Sequence, residues 1–452
     1  MVAGASRRPE TGKPPWIGSK GTLFGFMLDR AIVVKLTDEE QAMRGGEFGP
    51  LRHWAIEHQI KVGRYLGAAD FVPVTQAHIM ADTESLGRAG VEWLEHWTKF
   101  PQGERQVRVP TITDPRGTDF AHAERLKQQP WMLELERRAI VAFEALGVLM
   151  TDTCINYQTI MPPVRGEHVA YGDTGVVIYC NSVCGARSNF EGGPSALSAG
   201  LTGRTPRYGY HLDTQRRATF VAELSSTPRE LADWGALGGI VGRLAGDYSQ
   251  VPALVGVDRV PGPDELKHFG AALASYGSVA LFHIAGVTPE AMRLADAMPD
   301  GSALPTHTIG EADLRAFQAR YARDVGTVDL VVFSAPQLSL MEMRTLAGLL
   351  GGRNAEIPLF AVTSPQVKPD CDRLGLTARI EAAGGTVLSG MCFYQSYARE
   401  MAEANGWHRL ATNSAKLVNI IGGYGYRPVL LSMAQCVDAA CAGGRLKTSA
   451  RA

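Results

Sequence analysis

From about residue 250 to residue 390 the chain repeats one rhythm. Short apolar runs, ALVGV (253–257), VALFHIAG (279–286), VDLVVFSAP (328–336), PLFAVTSP (358–365) and GTVLSG (385–390), alternate with longer segments. In those segments, such as DELKHFGAALASYG, LSLMEMRTLAGLLGG and CDRLGLTARIEAAGG, apolar residues return every three or four positions. Strand alternating with helix needs crossover connections, so the rhythm predicts an α/β fold with parallel sheets flanked by helices. Ligands in such sheets sit at the carboxyl ends of strands. Here those ends read AGVTP, SAPQLS, TSPQVKP and SGMC.

A length of 452 residues suggests about three domain-sized units, enough to build cores without disulfides. The balance of 45 basic and 46 acidic residues argues against a nucleic-acid binder, which needs clustered positive charge. No apolar run is long enough to span a bilayer. The N-terminus is polar, without the apolar stretch of a secretory signal. Seven cysteines, an odd number, fit a reducing compartment, and the expected location is cytoplasmic.

Residues 1–34 lack any period and are expected to form a disordered extension. Thr37 or Asp38 can cap a first short helix. A strong helix is predicted from Pro130 to Met150, running into a loop that carries Cys154. Val176–Tyr179 reads as a strand. The expected divisions are an N-terminal α/β region over 35–235, a parallel-sheet region over 236–390, and a C-terminal segment, 391–452, returning to the active site.

No two cysteines stand in a CxxC pair, which excludes zinc ribbons and thioredoxin-type motifs. Cys180 and Cys184 are spaced to share a helix face, but the strand reading of VVIYC places them apart. Cys154 and Cys392 sit at element ends in loops, and Cys436 sits near the start of the last helix, where the dipole favours a thiolate. The tract GARSNFEGGPSAL offers Arg187, Ser188, Asn189 and Glu191, with Gly192 and Gly193 ahead of a helix. Glycines let backbone N–H groups approach an anion, and a guanidinium can hold a carboxylate bidentately. A surface loop with an ordinary ion pair is the alternative. GGIVGRLAG, near residue 238, lacks the spacing of a dinucleotide loop. ATNSAKLVNI puts Asn413, Ser414 and Lys416 within four residues, and Glu167 and His168 form a possible acid/base pair or a structural one.

Taken together, TDTC, GEH, NSV-x-GAR-x-N-x-EGGPSAL-x-A-x-LTGRTP-x-YG-x-H, TNSAK and CVDAA resemble the large chain of aconitase X, across roughly residues 35–445. The resemblance implies an aconitase-like multi-domain α/β architecture and a hydro-lyase, with cis-3-hydroxy-L-proline or mevalonate 5-phosphate as substrate. It also implies an iron–sulfur cluster held by cysteines, for which Cys154, Cys392 and Cys436 are the matching positions. A small aconitase swivel-like subunit, supplying a serine, is implied as the partner in a heterodimer. By the same carry-over, Ser182, Arg187, Ser188, Asn189, Glu191, Gly192 and Asn413 would bind substrate. Lys416, Ser414, Glu167 and His168 would be catalytic.

The chain departs from the family where GCPH is usual at a strand end. It carries Ser334, Ala335, Pro336 and Gln337 there, so Ala335 stands in place of a family cysteine. Phe190 replaces a usual arginine, which removes a positive charge and favours cis-3-hydroxy-L-proline over a phosphorylated substrate. The expected chemistry is β-elimination of water from a hydroxy acid. The alternative from another class is an inactive scaffold that binds the small partner. A zinc hydrolase is weaker, because no HExxH or clustered histidines appear.

Overall fold

The computed structural model describes residues 33–299, 303–321 and 326–446. Most of the expected N-terminal extension, residues 1–32, therefore lies outside the described residues. Thr37 caps the helix Asp38–Gly45, accepting from the Glu40 N–H while the Glu40 carboxylate accepts from Thr37. The strong helix runs from Pro130 to Ala145.

Three parallel sheets carry the fold. Thr111–Thr113, Ala77–Ile79 and Ala170–Tyr171 form the first. The second runs in the order His283–Ile284, Pro252–Val255, Phe220–Leu224 and Thr306–Ile309. The third has five strands, in the order Thr386–Ser389, Leu359–Thr363, Leu330–Leu338, Arg409–Thr412 and Arg427–Leu430. A two-stranded antiparallel pair, Phe71–Pro73 with Arg204–Pro206, completes the set. Helices cover both faces of the five-stranded sheet, so all nine residues of its central strand are buried. This is why its sequence shows a continuous apolar run rather than alternation.

Two expected boundaries move. The division at 235/236 falls inside the helix Leu231–Ala245, whose fully buried Trp234 packs edge-on to Phe269. The segment 391–452 is not a separate unit, because Arg409–Thr412 and Arg427–Leu430 pair into the same sheet as residues 330–389.

Val176–Tyr179 is helical, within Thr174–Tyr179, rather than a strand. Every residue from Gly175 to Tyr179 is buried, so no polar face marks a helical period. Asp173 decides the matter locally: its carboxylate accepts from the Val176 N–H at 2.9 Å and caps the first turn. A π-turn, Cys180–Cys184, continues this helix, so the two cysteines do share a face.

The glycines of GGIVGRLAG serve packing. A Cβ on Gly238 would lie 2.2 Å from the Phe269 carbonyl oxygen, and one on Gly242 would lie 2.9 Å from that of Leu273. The helices Leu231–Ala245 and Pro263–Gly277 thus touch backbone to backbone.

Candidate active site

The central strand of the five-stranded sheet breaks its ladder near its carboxyl end. Phe333 pairs with Ala361, yet Leu338 pairs with Thr363, so Ser334–Gln337 bulge out of register. Three loops are fastened to this excursion. The Ser334 hydroxyl accepts from the Phe393 N–H at 3.2 Å, and Ser414 donates to the Ala335 carbonyl. Gln337 joins the remaining pieces. Its N–H donates to Cys154 Sγ at 3.4 Å, and its Oε1 accepts from the Cys154 N–H at 3.3 Å. Its Nε2 donates to the carbonyls of Asp152 and Met391, at 3.1 and 3.3 Å. One side-chain amide therefore holds the Cys154 loop against the Cys392 loop.

Lys416 lies on the helix Ala415–Ile421, whose first turn Ser414 caps through the Leu417 N–H. Its Nζ donates to Asp173 Oδ1 at 3.1 Å and stands 5.9 Å from the centroid of the Tyr394 ring. Both members of the Lys416–Asp173 pair are buried. Burial opposes both charges, but each partner outweighs it: Asp173 is held below the usual carboxylate range, and Lys416 above the usual lysine range. Burial pushes the Cys154 and Cys392 thiols up, Cys392 to about 12, so they are neutral near pH 7.

Two residues absent from the sequence reading join this centre. His78, on the strand Ala77–Ile79, has Nε2 at 2.9 Å from the Thr153 carbonyl and 3.7 Å from Asp114 Oδ1. Burial lowers its pKa, so the ring is neutral. The carbonyl can only accept, so the proton is on Nε2 and Nδ1 is left as an acceptor without a partner. Asp114, just past the strand Thr111–Thr113, is 1 % exposed. Neither carboxyl oxygen makes a hydrogen bond of ordinary geometry, although the Gln395 amide is near enough to oppose the shift. Burial, reinforced by Asp173, pushes its pKa well up. The Asn413 Nδ2 is a buried donor without a partner. The only sequence signal for His78 and Asp114 was their position in, or just beyond, a short strand.

The other expected site residues lie elsewhere. Asp173 starts the helical stretch Thr174–Cys184, and Arg187 follows its far end, so about 15 Å of helix separates Arg187 from Lys416. Arg187 pairs with Asp213 and donates to the His211 carbonyl. Glu167 accepts from Gln76 and from the Val164 N–H, and His168 meets His211 at 2.9 Å. The Ser182 hydroxyl accepts from the Phe282 N–H, the Ser188 hydroxyl from the Tyr171 N–H, and Asn189 Oδ1 from the Tyr210 N–H and the Tyr248 hydroxyl. Glu191 accepts from Thr205, and Gly192 opens the helix Gly192–Thr202 at φ 60°. These groups tie the glycine-rich tract and its neighbours to the surrounding segments, and none of these bonds involves Lys416.

Cys436 is a correction of position. It is fully buried in the helix Met433–Ala440, in the apolar core with Val437 and Ala440, and burial alone raises its pKa. The helix dipole does not make it a thiolate. Cys154 and Cys392 are thus brought near one another without it. Among the described residues, no group of three or more His, Cys, Asp or Glu side chains is arranged to hold a metal ion. Iron–sulfur clusters take up to four thiolates. Two thiols, beside an alanine at position 335, are fewer than a cysteine-held cluster takes, so the described cysteines alone do not fit one.

Three family models cover the chain: aconitase X first domain over residues 33–214, second domain over 218–319 and third domain over 328–442. The chain belongs to the aconitase X family. It is 36 % identical over 396 residues to the phosphomevalonate dehydratase large subunit of Methanothermobacter thermautotrophicus, covering 86 % of this chain and 94 % of that one. It is 32 % identical over 413 residues to the cis-3-hydroxy-L-proline dehydratase of Pseudomonas aeruginosa, covering 89 % of this chain and 69 % of that enzyme. The crystal structure of Thermococcus kodakaraensis aconitase X in its holo-form superposes with a TM-score of 0.80 at 30 % identity. That match covers 90 % of this chain and all of the other. These relatives are dehydratases by name, so the expected enzyme class, hydro-lyase, is that of the family. Among the described residues no helix is long and apolar enough to cross a membrane.

Proposed function

We propose that this chain is the large, catalytic subunit of an aconitase X dehydratase, and that it removes water from a small hydroxylated amino acid, cis-3-hydroxy-L-proline. The observation that carries the reading is the buried Lys416–Asp173 pair beside an unpartnered imidazole nitrogen and an unpartnered carboxyl. A neutral His78 with a free Nδ1 accepts the proton from the carbon next to the substrate carboxylate. Asp114, kept protonated by burial, gives its proton to the departing hydroxyl, which leaves as water. Burial favours the neutral form of each group, an imidazole able to accept a proton and a carboxyl able to give one, which suits these opposite roles. Lys416 stabilises the charge that develops on the carboxylate-linked carbon, and the free Asn413 amide donates to the carboxylate.

The donor set at Cys154 and Cys392 supports no step through a cluster. Cys154, Asp114, Asp173 and Lys416 are each at most 6 % exposed, so substrate entry requires opening of the surrounding loops. A small partner subunit is proposed because the relatives carry the words "large subunit". Seven free thiols support a reducing, cytoplasmic location.

Charge favours the amino-acid substrate. The Lys416 charge is already balanced by Asp173, which leaves no net positive charge for a phosphate dianion and suits a zwitterionic amino acid. Chain length favours a second reading, mevalonate 5-phosphate, because the chain spans 93–98 % of four phosphomevalonate dehydratase large subunits but 69 % of the hydroxyproline enzymes. The test is turnover by the two-chain complex, with loss of water read by mass spectrometry. Turnover of cis-3-hydroxy-L-proline that Asp114→Asn and His78→Asn abolish supports the proposal. Turnover of mevalonate 5-phosphate alone replaces the substrate. A complex inert to both, and assembled normally, identifies a scaffold.

A further inference from the structure

The helical stretch Thr174–Cys184 ends in a feature that the dehydration centre does not use. Its last five residues, Cys180–Cys184, form a π-turn, which Gly185 closes at φ 70°. Such turns often mark functional positions in helices. The Gly185 and Ala186 N–H groups both donate to the Cys180 carbonyl, the latter at 3.0 Å. The turn is pinned from both sides. Asn181 Oδ1 accepts from the Ser188 N–H at 2.9 Å, and its Nδ2 donates to the Ala280 carbonyl at 2.8 Å. The Ser182 hydroxyl accepts from the Phe282 N–H at 2.9 Å. Cys180 and Cys184 are thereby fixed one turn apart on one face.

Four residues of helix set two Cα atoms about 6 Å apart, within the roughly 4.4–6.8 Å that a disulfide spans. The thiols themselves meet, with the Cys180 S–H donating to Cys184. Their surroundings differ. Cys180 is fully buried, whereas Cys184 is half-buried and packs against the apolar core. The hydrogen bond from Cys180 holds the Cys184 thiol below the usual cysteine range, against the effect of burial. Burial pushes the other six thiols up. A partly open thiol inclined to ionise, with a second thiol in contact behind it, is the arrangement of a peroxide-reactive pair. Cys154 and Cys392 also lie near one another, but both are buried and neutral.

We propose that Cys180 and Cys184 form an oxidisable dithiol, in which Cys184 reacts with a peroxide and Cys180 resolves the product as a disulfide. The Cys184 thiolate attacks one peroxide oxygen and the O–O bond breaks. The second oxygen leaves as hydroxide and takes up the proton that the thiol released, giving water. Cys184 is then a sulfenic acid. The Cys180 sulfur attacks the Cys184 sulfur, the S–O bond breaks, and the hydroxyl leaves as a second water with the proton from Cys180. Two thiols and one hydrogen peroxide thus give one disulfide and two waters; the dithiol loses two electrons and the peroxide gains them. Nothing in this assignment depends on the chemistry proposed at Lys416.

Hydrogen peroxide is the probe, added in small excess near neutral pH to the full chain with its small partner present. Free thiols are then alkylated and the chain is cut with trypsin. Both cysteines lie in one tryptic peptide, residues 166–187, and the other five cysteines lie outside it. This peptide is expected to lose two hydrogens and escape alkylation, at a rate at least about tenfold that of oxidation at any other cysteine. Dithiothreitol should restore it. Cys180→Ala is expected to stop at the sulfenic acid on Cys184, which dimedone traps, and Cys184→Ser to leave Cys180 reduced. A peptide that stays reduced while another cysteine oxidises would overturn the assignment, and so would a Cys154–Cys392 disulfide that forms first. Cys184 carried to its acids in the parent chain with Cys180 still open to alkylation would remove the resolving role and overturn it too. A disulfide that forms no faster in the folded chain than in urea would mean that spacing along the chain, and not the π-turn, joins the pair, and would overturn it likewise.

Discussion

The Lys416–Asp173 pair allows structure and chemistry to be separated. At 3.1 Å, and with an effective dielectric constant of about 20, two unit charges attract by about 5 kcal/mol. Desolvation cancels much of this, but removing one partner strands the other. Lys416→Met leaves Asp173 buried and charged, a loss of about 3–5 kcal/mol. Against a typical domain stability of about 5–15 kcal/mol, that brings the protein near its threshold. The double variant Lys416→Met/Asp173→Asn removes both charges, and the asparagine oxygen can still cap Val176. It is expected to recover most of the lost melting temperature. Its turnover should nonetheless stay about 10²–10³-fold below the unmodified enzyme, the usual cost of one preorganised donor to a developing anion. The pH dependence follows the same pair. Asp173 is shifted down, so its contribution is present above about pH 4 and is lost as pH falls through its folded value. Lys416 is shifted up, so its contribution holds below about pH 10.5 and is lost as pH rises through its folded value. The double variant should lack both limbs. Melting curves across pH, with turnover of the two-chain complex, decide the matter. A double variant with normal kcat would refute the role of Lys416, and a single variant as stable as the parent would refute the account of the buried pair.

Two further predictions concern stability. Burial raises Glu136 to about 7, so its carboxyl favours folding when protonated and costs stability as pH rises from about 4 to 7. Glu136→Gln should be more stable than the parent at pH 8, by on the order of 3 kcal/mol, and equal to it at pH 4 by thermal melting. Gly238→Ala drives a methyl into the Phe269 carbonyl, at 2.2 Å, and should cost about 1–3 kcal/mol. Gly348→Ala, in the helix Leu340–Leu350 with nothing within 4 Å, should instead gain up to about 1 kcal/mol; equal melting shifts for the two would undo the close-packing argument.

The parallel sheets were legible because their strands are buried on both faces and bounded by helical patterns. The same burial hid the helix Thr174–Tyr179, whose all-apolar sequence carries no period. The glycine tract looked like a binding loop because it holds Arg187, Asn189 and Glu191 together. Those side chains bond residues 205–248, beyond the tract, which spacing alone does not reveal. Lys416 and Cys154 were visible as loop residues with reactive groups. His78 and Asp114 were not, since each stands alone in its segment and gains meaning only when three strand ends converge. Cys436 resembled the other cysteines in position along its element, but the face of the helix it occupies turns into the core.

The amide of Gln337 bridges the loops of Cys154 and Cys392, 238 residues apart in sequence. It grips the Cys154 backbone at one end and the Met391 carbonyl at the other. Displacing either loop breaks bonds to this one residue, so a movement of one is felt by the other. The two thiol-bearing walls should therefore swing as a coupled pair of jaws, and a metabolite would be admitted by one concerted movement in place of two independent ones.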